Sequence, residues 1–284
     1  MDDEIEPSTT KNVIDAIGGI VKAVPVYQDA IQPAAKELGK ALGTATKSLN
    51  VLLAPIEVVI WGYERIKTKL IDELSQKVCH IPEEKRITPK PYIAVPAIEA
   101  LRYLGHDDSL RRLYVNLLAS AMNTETAHRA HPSFVEIIKQ LTSDEAKILQ
   151  VLSEEIAIPL ISVHLYMRQK GIKRLTKLFS NDAYSYLIGI EGFSNIGELA
   201  NCECSDLTQN YLNNLARLGL INVQEGVSFS IHEKYIDLEN HAVILKFISE
   251  NNLPDRRPGI VRYSAKLTHL GEQFIAACVT NIAS

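Results

Sequence analysis

The side chains that could do chemistry here are four cysteines and a few histidines, and their spacing matches no catalytic or metal site. Cys202 and Cys204 are closer together than the usual zinc-binding pair, and the other cysteines are Cys79 and Cys278. No nucleophile stands in a recognisable frame with His164. We therefore predict a protein that is not an enzyme and that holds neither a metal nor another cofactor. Four thiols without a signal peptide are typical of the reducing cytoplasm, where we expect this protein.

Side chains that could bind a partner are concentrated in the stretch SDLTQNYLNNLARLG (205–219). Its pattern predicts a helix with Ser205 as the N-cap and Gly219 just past the end. Asparagine can read adenine, and arginine can bind guanine or phosphate. The turn LPDRRPG further along adds two arginines. The candidate nucleic-acid or partner contacts are therefore Asn210, Asn213, Asn214, Arg217, Arg256 and Arg257.

The charge balance disfavours nucleic acid as the partner. The chain of 284 residues has a net charge of −4, and residues 140–284 contain 13 Lys and Arg against 16 Asp and Glu. Nucleic-acid binding draws much of its free energy from cations that neutralise phosphates. We therefore favour a protein partner, from the host or from a phage, and a homo-oligomer stays open.

The elements that would position these contacts form a winged-helix-like α+β region over residues 142–284. Thr142 and Glu145 form a capping box that opens its first helix. Two short β runs within LINVQEGVSFSI (220–231) predict a hairpin, and IVRYSAKL (260–267) predicts a further strand. The apolar run IPLISVHLYM (158–167) fits a strand and a helix equally. We read the stretch 180–204 as irregular, with one strand and one short helix near NIGELAN (195–201).

Residues 11–141 read as helices, after a disordered tail at 1–10. The run DSLRRLYVNLLASAMN (108–123) places its apolar residues on one helical stripe, with Leu117 in the middle. A second helix is predicted over 96–105, from a proline to a glycine. No β pattern occurs before residue 142. The fold class we predict is mainly α, with a multi-helix N-terminal region followed by the winged-helix-like α+β region.

One segment of this helical region has features of a membrane-active helix. Ala35, Gly39 and Gly43 form a ridge of small residues, which lets another helix approach closely. The segment 33–63 also carries several Lys and Glu side chains, and each would cost about 2.5–3.5 kcal/mol near the bilayer centre. We therefore expect a folded helical bundle, with membrane contact only after a triggered rearrangement.

Six stretches carry a family resemblance: residues 33–66, 95–103 (VPAIEALRY), 110–123 (LRRLYVNLLASAMN), 130–149, 211–221 (YLNNLARLGLI) and 267–279 (LTHLGEQFIAACV). In this order they resemble the Abi-alpha family of bacterial proteins, named for abortive infection of phage-infected cells. The resemblance implies antiviral defence by arrest or death of the infected cell. It implies no reaction and supplies no catalytic residues.

From the sequence we thus expect a non-enzymatic defence protein that acts through protein interaction or a triggered rearrangement. Two alternatives stay open. One is a winged-helix regulator that binds DNA, and the other is an effector that perturbs membranes through its small-residue helices.

Overall fold

The computed structural model describes residues 63–104, 107–155, 157–167, 186–224 and 226–280. The predicted tail at 1–10 and the ridge of Ala35, Gly39 and Gly43 lie outside the described residues. The chain divides into two compact units, one formed by residues 1–146 with 273–284, the other by residues 147–272.

The described residues form five α-helices before the first strand, and strands alternate with helices only after it. The helices are α1 (Tyr63–Cys79), α2 (Pro91–Leu104), α3 (Asp108–Ala121), α4 (Ser133–Ile138), α5 (Ser143–Leu152), α6 (Ile196–Leu199), α7 (Thr208–Arg217), α8 (Glu233–Glu239), α9 (Ala242–Asn251) and α10 (His269–Phe274). The strands are β1 (Ala157–Met167), β2 (Tyr186–Phe193), β3 (Ile221–Gln224) and β4 (Arg256–Leu267). A π-helical turn, Ile275–Val279, continues α10.

Helix α3 is the buried centre of the first unit. Its predicted apolar stripe is confirmed, since Leu110, Leu113, Tyr114, Leu117, Leu118 and Ala121 are all buried. Asp107 caps the helix by accepting hydrogen bonds from the backbone N–H groups of Ser109 and Leu110, at 2.9 and 3.0 Å. The buried guanidinium of Arg111 binds Glu73 of α1 at 2.7 Å, so the one cation inside this stripe is paired.

Polar side chains of α3 bind the π-helical turn, whose carbonyls lie outside the regular helical pattern. Asn116 Nδ2 donates to the carbonyl oxygens of Cys278 and Val279, at 2.8 and 3.2 Å. Ser120 Oγ donates to the carbonyl oxygen of Ala277 at 3.0 Å. These buried hydrogen bonds attach the C-terminal residues 273–284 to the rest of the first unit, of which they are a part.

The second unit is built on an antiparallel sheet with strand order β2-β1-β4-β3. One face of β1 presents Ile161 and Val163 to α8 and α9, where Tyr235, Leu238 and Ile244 complete a buried cluster. Strand β4 pairs with β1 along its whole length, from Ala157 opposite Lys266 to Met167 opposite Arg256.

The prediction of a mainly α protein is wrong, because this four-stranded sheet makes the fold α+β. The run 158–167 is a strand, and from Leu160 to Val163 its side chains are buried on both faces. An apolar run of that kind has neither the alternation of a half-buried strand nor a helical period, so periodicity does not assign it. Between residues 63 and 141, the described residues form helices, a short 3₁₀ turn and one isolated β-bridge, from Arg86 to Asn123.

The predicted hairpin at 220–231 is also wrong. Its first arm is β3, but β3 pairs with the distant end of β4, with Ile221 opposite Leu267. Residues 227–231 form no strand. Helices α8 and α9 lie between β3 and β4 in the sequence. The residues next to β3 therefore could not indicate that β4 is its partner strand.

Local helix signals have mixed outcomes. The capping box is confirmed, since Thr142 N donates to Glu145 Oε2 at 2.6 Å and Glu145 N donates to Thr142 Oγ1 at 3.2 Å. Gly219 ends α7 as predicted, with φ of 75°, in a Schellman motif. Helix α2, however, begins at Pro91 and contains Pro96, and α7 begins at Thr208 after a 3₁₀ turn that holds Ser205.

Candidate binding surface of the sheet

A row of ring and cationic side chains, which are half-buried on β1 and exposed on β2 and β4, crosses three strands of the sheet. Alternate residues of a strand point to the same face, so His164 and Tyr166 of β1 share one face. Tyr166 lies opposite Tyr186 of β2 on one side and opposite Arg257 of β4 on the other. Directly opposed residues also share a face. We call His164, Tyr166, Tyr186 and Arg257 the aromatic surface.

The rings of the aromatic surface stack on one another. His164 and Tyr186 are parallel, with ring centroids 4.4 Å apart and an interplanar angle of 5°. Tyr166 is tilted against both rings, at 6.2 Å from His164 and 5.9 Å from Tyr186. The three rings therefore form one contiguous aromatic cluster that is not part of the buried core.

A glycine makes room for this cluster. Gly259 lies opposite His164 on β4, and a Cβ atom at this position would be 2.7 Å from Cε2 of Tyr166. Such a contact is too short for real atoms, so the Tyr166 ring occupies the space that a side chain at position 259 would take. The ring lies directly over the β4 backbone as a result.

The β2 side of the cluster is open to solvent. Tyr186 is 48% exposed and Ile188, which lies opposite His164, is 54% exposed. Strand β2 is at the edge of the sheet formed by the described residues, and its pairing with β1 is interrupted by register shifts. Exposed aromatic and large aliphatic side chains that lie side by side mark interaction sites more often than isolated ones do.

The cations near the sheet differ in their surroundings. Arg262 donates to Glu239 and lies over the Tyr235 ring, 5.9 Å from its centroid. The Glu239 hydrogen bond raises the pKa of Arg262 above its ordinary value. Arg257, in contrast, is exposed, and its guanidinium group forms no hydrogen bond or ion pair within the described part of the chain. Its charge is therefore available to an anion.

The predicted contact residues fall in two separate places. Asn210 and Asn213 are exposed on α7, and Asn214 accepts hydrogen bonds from Arg217 Nε and Nη2, at 3.0 and 2.7 Å. Arg256 and Arg257 begin β4. The face of α7 meets the sheet at Gly192, beside the Gln209 side chain.

The structure does not bring these two groups together. Gly192 and Tyr186 are at opposite ends of β2, and a strand rises about 3.3 Å per residue, so roughly 20 Å separates them. Arg257 is in the row of Tyr186. Arg256 lies opposite Met167 and is half-buried. Of the six predicted residues, Arg257 alone belongs to the aromatic surface.

Sequence reasoning missed the three ring residues of this surface. His164 and Tyr166 are inside the run 158–167, whose structure the pattern left open, and Tyr186 is in a stretch for which we predicted one strand without assigning its residues. The signal that could have found them is a polar aromatic residue at i and i+2 in a β-branched run, which places both rings on one strand face.

The groups that could support catalysis are dispersed. Cys278 is fully buried, and burial raises the pKa of its thiol well above the ordinary value. Cys79 is exposed and its thiol donates to the Gln76 carbonyl oxygen at 2.9 Å. The described residues contain no cluster of three or more His, Cys, Asp or Glu side chains suited to a metal ion. None of the helices they form is both long and apolar enough to cross a membrane.

Comparison with known proteins gives one family and one solved structure. No curated protein matches the chain. The structure is that of an uncharacterized protein from the hydrocarbon-degrading marine bacterium Alcanivorax borkumensis SK2, which is 25% identical and covers 55% of this chain and 96% of its own, with a TM-score of 0.33. A family model described as abortive infection alpha matches residues 62–278. The match extends over most of the chain and includes both units, and this protein therefore belongs to the abortive infection alpha family.

Proposed function

We propose that this protein is a phage-defence protein of the abortive-infection type that acts by binding a host or phage macromolecule, not by catalysis. The observation that carries the defence role is the family match over residues 62–278. The aromatic surface is where we place the binding event.

The composition of the aromatic surface supports a binding role. Tyrosine and arginine are enriched at the centres of interfaces, where they contribute more free energy than other residues do. Here two tyrosines, a histidine and an arginine lie in adjacent positions on one sheet face. Tyr186 keeps 48% of its surface exposed, although burying it would be favourable by the hydrophobic effect. A partner that covers this ring would supply that burial.

The two other functions considered from the sequence receive less support. The one cation of α7, Arg217, is hydrogen-bonded to Asn214. If α7 approached DNA, its cation would therefore already have a partner. A membrane effector would act through residues 33–63, most of which lie outside the described residues. The expectation that the partner is a protein stays a prediction.

The experiment is a phage challenge of bacteria that carry the gene. The test variant combines Tyr186→Ala with Arg257→Gln, and the matched control combines Tyr103→Ala with Arg129→Gln. Tyr103 is 70% exposed and Arg129 is also exposed, and both belong to the first unit. Survival and phage yield are measured at low and high phage-to-cell ratios, with protein levels checked by immunoblot.

We expect the wild type and the control to protect the culture at low ratio and to lose infected cells at high ratio. The test variant should accumulate normally and no longer protect. Full protection by the test variant would reject the aromatic surface as the functional site. Absence of protection by the wild type against a broad phage panel would reject the defence role.

A further inference from the structure

We propose that the aromatic surface binds single-stranded nucleic acid, with a base stacked on Tyr186 and a phosphate bound by Arg257. This inference rests on the proposed function, since it names the partner of the same surface. Three features of the described residues carry it: the geometry of the rings, the position of the free cation and the sheet on which both are placed.

The ring geometry suits a nucleobase. Tyr186 is stacked on His164 with parallel planes and keeps 48% of its surface exposed, which a ligand could cover. A planar group placed there continues the stack, and a nucleobase is a planar group of about that size. Stacking of bases on aromatic side chains is the main mode by which proteins bind single strands, and it tolerates any base.

The cation is placed for a phosphate. Arg257 and Tyr186 are on the same sheet face, separated by Tyr166 on the strand between them. Two strand spacings amount to about 10 Å, a distance that an extended strand covers within a few nucleotides. Because no described residue pairs with Arg257, a phosphate there would not have to displace a carboxylate.

The cations of residues 140–284 are unevenly distributed along the sequence. Residues 168–185 contain five Lys or Arg and one Asp, which is five of the 13 cations between 140 and 284. The site we propose consists only of the described side chains.

A single strand fits better than a duplex. The rings can contact the face of a base only where that base is unstacked from its neighbours. A duplex hides those faces and is usually read by a helix in its major groove. The aromatic surface belongs to a sheet, and on it Tyr186 and Ile188 are about half exposed.

The test is fluorescence anisotropy with the full-length purified chain. The probes are labelled oligomers of uridine and of thymidine, each about 16 nucleotides long, the upper end of known site sizes, and a duplex of the same length. The variants are Tyr186→Ala, Tyr186→Phe, Arg257→Gln and the control Tyr103→Ala, each checked by thermal melting. Binding is followed from low to high salt, and the two single-stranded probes separate RNA from DNA as the source.

We expect the wild type to bind at least one single strand more tightly than the duplex. Tyr186→Ala should weaken binding at least fivefold, while Tyr186→Phe and Tyr103→Ala retain it, because stacking needs the ring and not the hydroxyl. Arg257→Gln should lower the slope of log affinity against log salt by about 0.7.

The inference is overturned if the wild type binds neither single strand at low salt, or if Tyr186→Ala binds as well as the wild type does. If the surface variant also loses phage protection while the wild type binds no nucleic acid, the proposed function stands and its partner is a protein. If single-strand binding is lost while protection is intact, the inference stands and the functional role of the surface is rejected.

Discussion

Gly259 is the residue on which the position of the Tyr166 ring depends. A methyl group there would overlap with Cε2 of the ring, at 2.7 Å. The overlapping atom is at the far end of a side chain, so the ring can rotate away at small cost. We therefore expect Gly259→Ala to destabilise the protein by less than about 1.5 kcal/mol, in the range of tolerated core changes, and to disturb the aromatic surface.

A double-mutant cycle checks this prediction. If the ring is the obstacle, Gly259→Ala in a Tyr166→Ala background should have no further effect on ligand or partner binding, because the overlap is gone. Urea unfolding measures the free energies of the four proteins. Equal and additive effects in both backgrounds would show that Gly259 acts through the β4 backbone instead.

The hydrogen bonds of Asn116 attach the π-helical turn to helix α3. The Asn116 amide donates to two buried carbonyl oxygens. Asn116→Ala should lower the free energy of unfolding by about 1–3 kcal/mol, the cost of leaving buried carbonyls without a partner.

Asn116→Asp is the sharper comparison. An ionised carboxylate cannot donate and would face those carbonyl oxygens, so it must bind a proton to replace the amide. The acid is therefore favoured in its neutral form when folded, and the stability it loses near neutral pH should return partly as pH falls. Melting temperatures of Asn116→Ala and Asn116→Asp across pH check this. A pH-independent difference between the two would contradict it.

At the scale of elements, α3 is the helix on which the first unit depends most. Leu117, in the middle of its buried stripe, is 0% exposed. Leu117→Ala removes buried methyl groups and leaves a cavity, so we expect a loss of about 2–5 kcal/mol. Arg112→Ala, on the exposed side of the same helix, is the control and should change stability little. Chemical unfolding of both variants tests the difference.

The elements that could be predicted from the sequence are those with a local cause. The stripe of α3, the Thr142–Glu145 capping box and the Gly219 helix end depend on residues within a few positions of each other. The sheet could not be predicted in the same way. Its pairings join β1 to β4 and β3 to β4 across long stretches, and the apolar run of β1 shows no period because both of its faces are buried from Leu160 to Val163.

The aromatic surface could not be predicted from the sequence for the same reason. Tyr166, Tyr186 and Arg257 come from three strands and are neighbours only once the register of the sheet is known. The Pro- and Gly-containing stretch LPDRRPG predicted that Arg257 lies in a turn, but strand β4 already begins at Arg256. Overall charge disfavours nucleic acid as the partner, and that prediction averages the positive stretch 168–185 with the acidic remainder of residues 140–284.

At the scale of the whole molecule, residues from the C-terminal part of the chain complete the first unit. Residues 273–284 belong to it, and Phe274 is fully buried, with its ring 5.3 Å from that of Phe134. A chain that ends at residue 272 would lose this ring contact and the carbonyls bound by Asn116 and Ser120.

We therefore expect the truncated chain to be cleaved by trypsin in its first unit much faster than the full chain, as followed by mass spectrometry of early fragments. A chain that ends after Val279 keeps the turn and is the matched control. Equal protection from cleavage in the two chains would show that the C-terminal turn is dispensable.

The pairing of β1 with β4 has a consequence for the timing of synthesis. Ala157 can pair with Lys266 only after the ribosome has added more than a hundred further residues. At about 5–20 residues per second, the ribosome takes roughly 5 to 20 seconds to supply it. Arg257 comes with that same last strand. A nascent chain whose translation stops before β4 therefore lacks two of the three strand pairings of this sheet and the arginine of the aromatic surface.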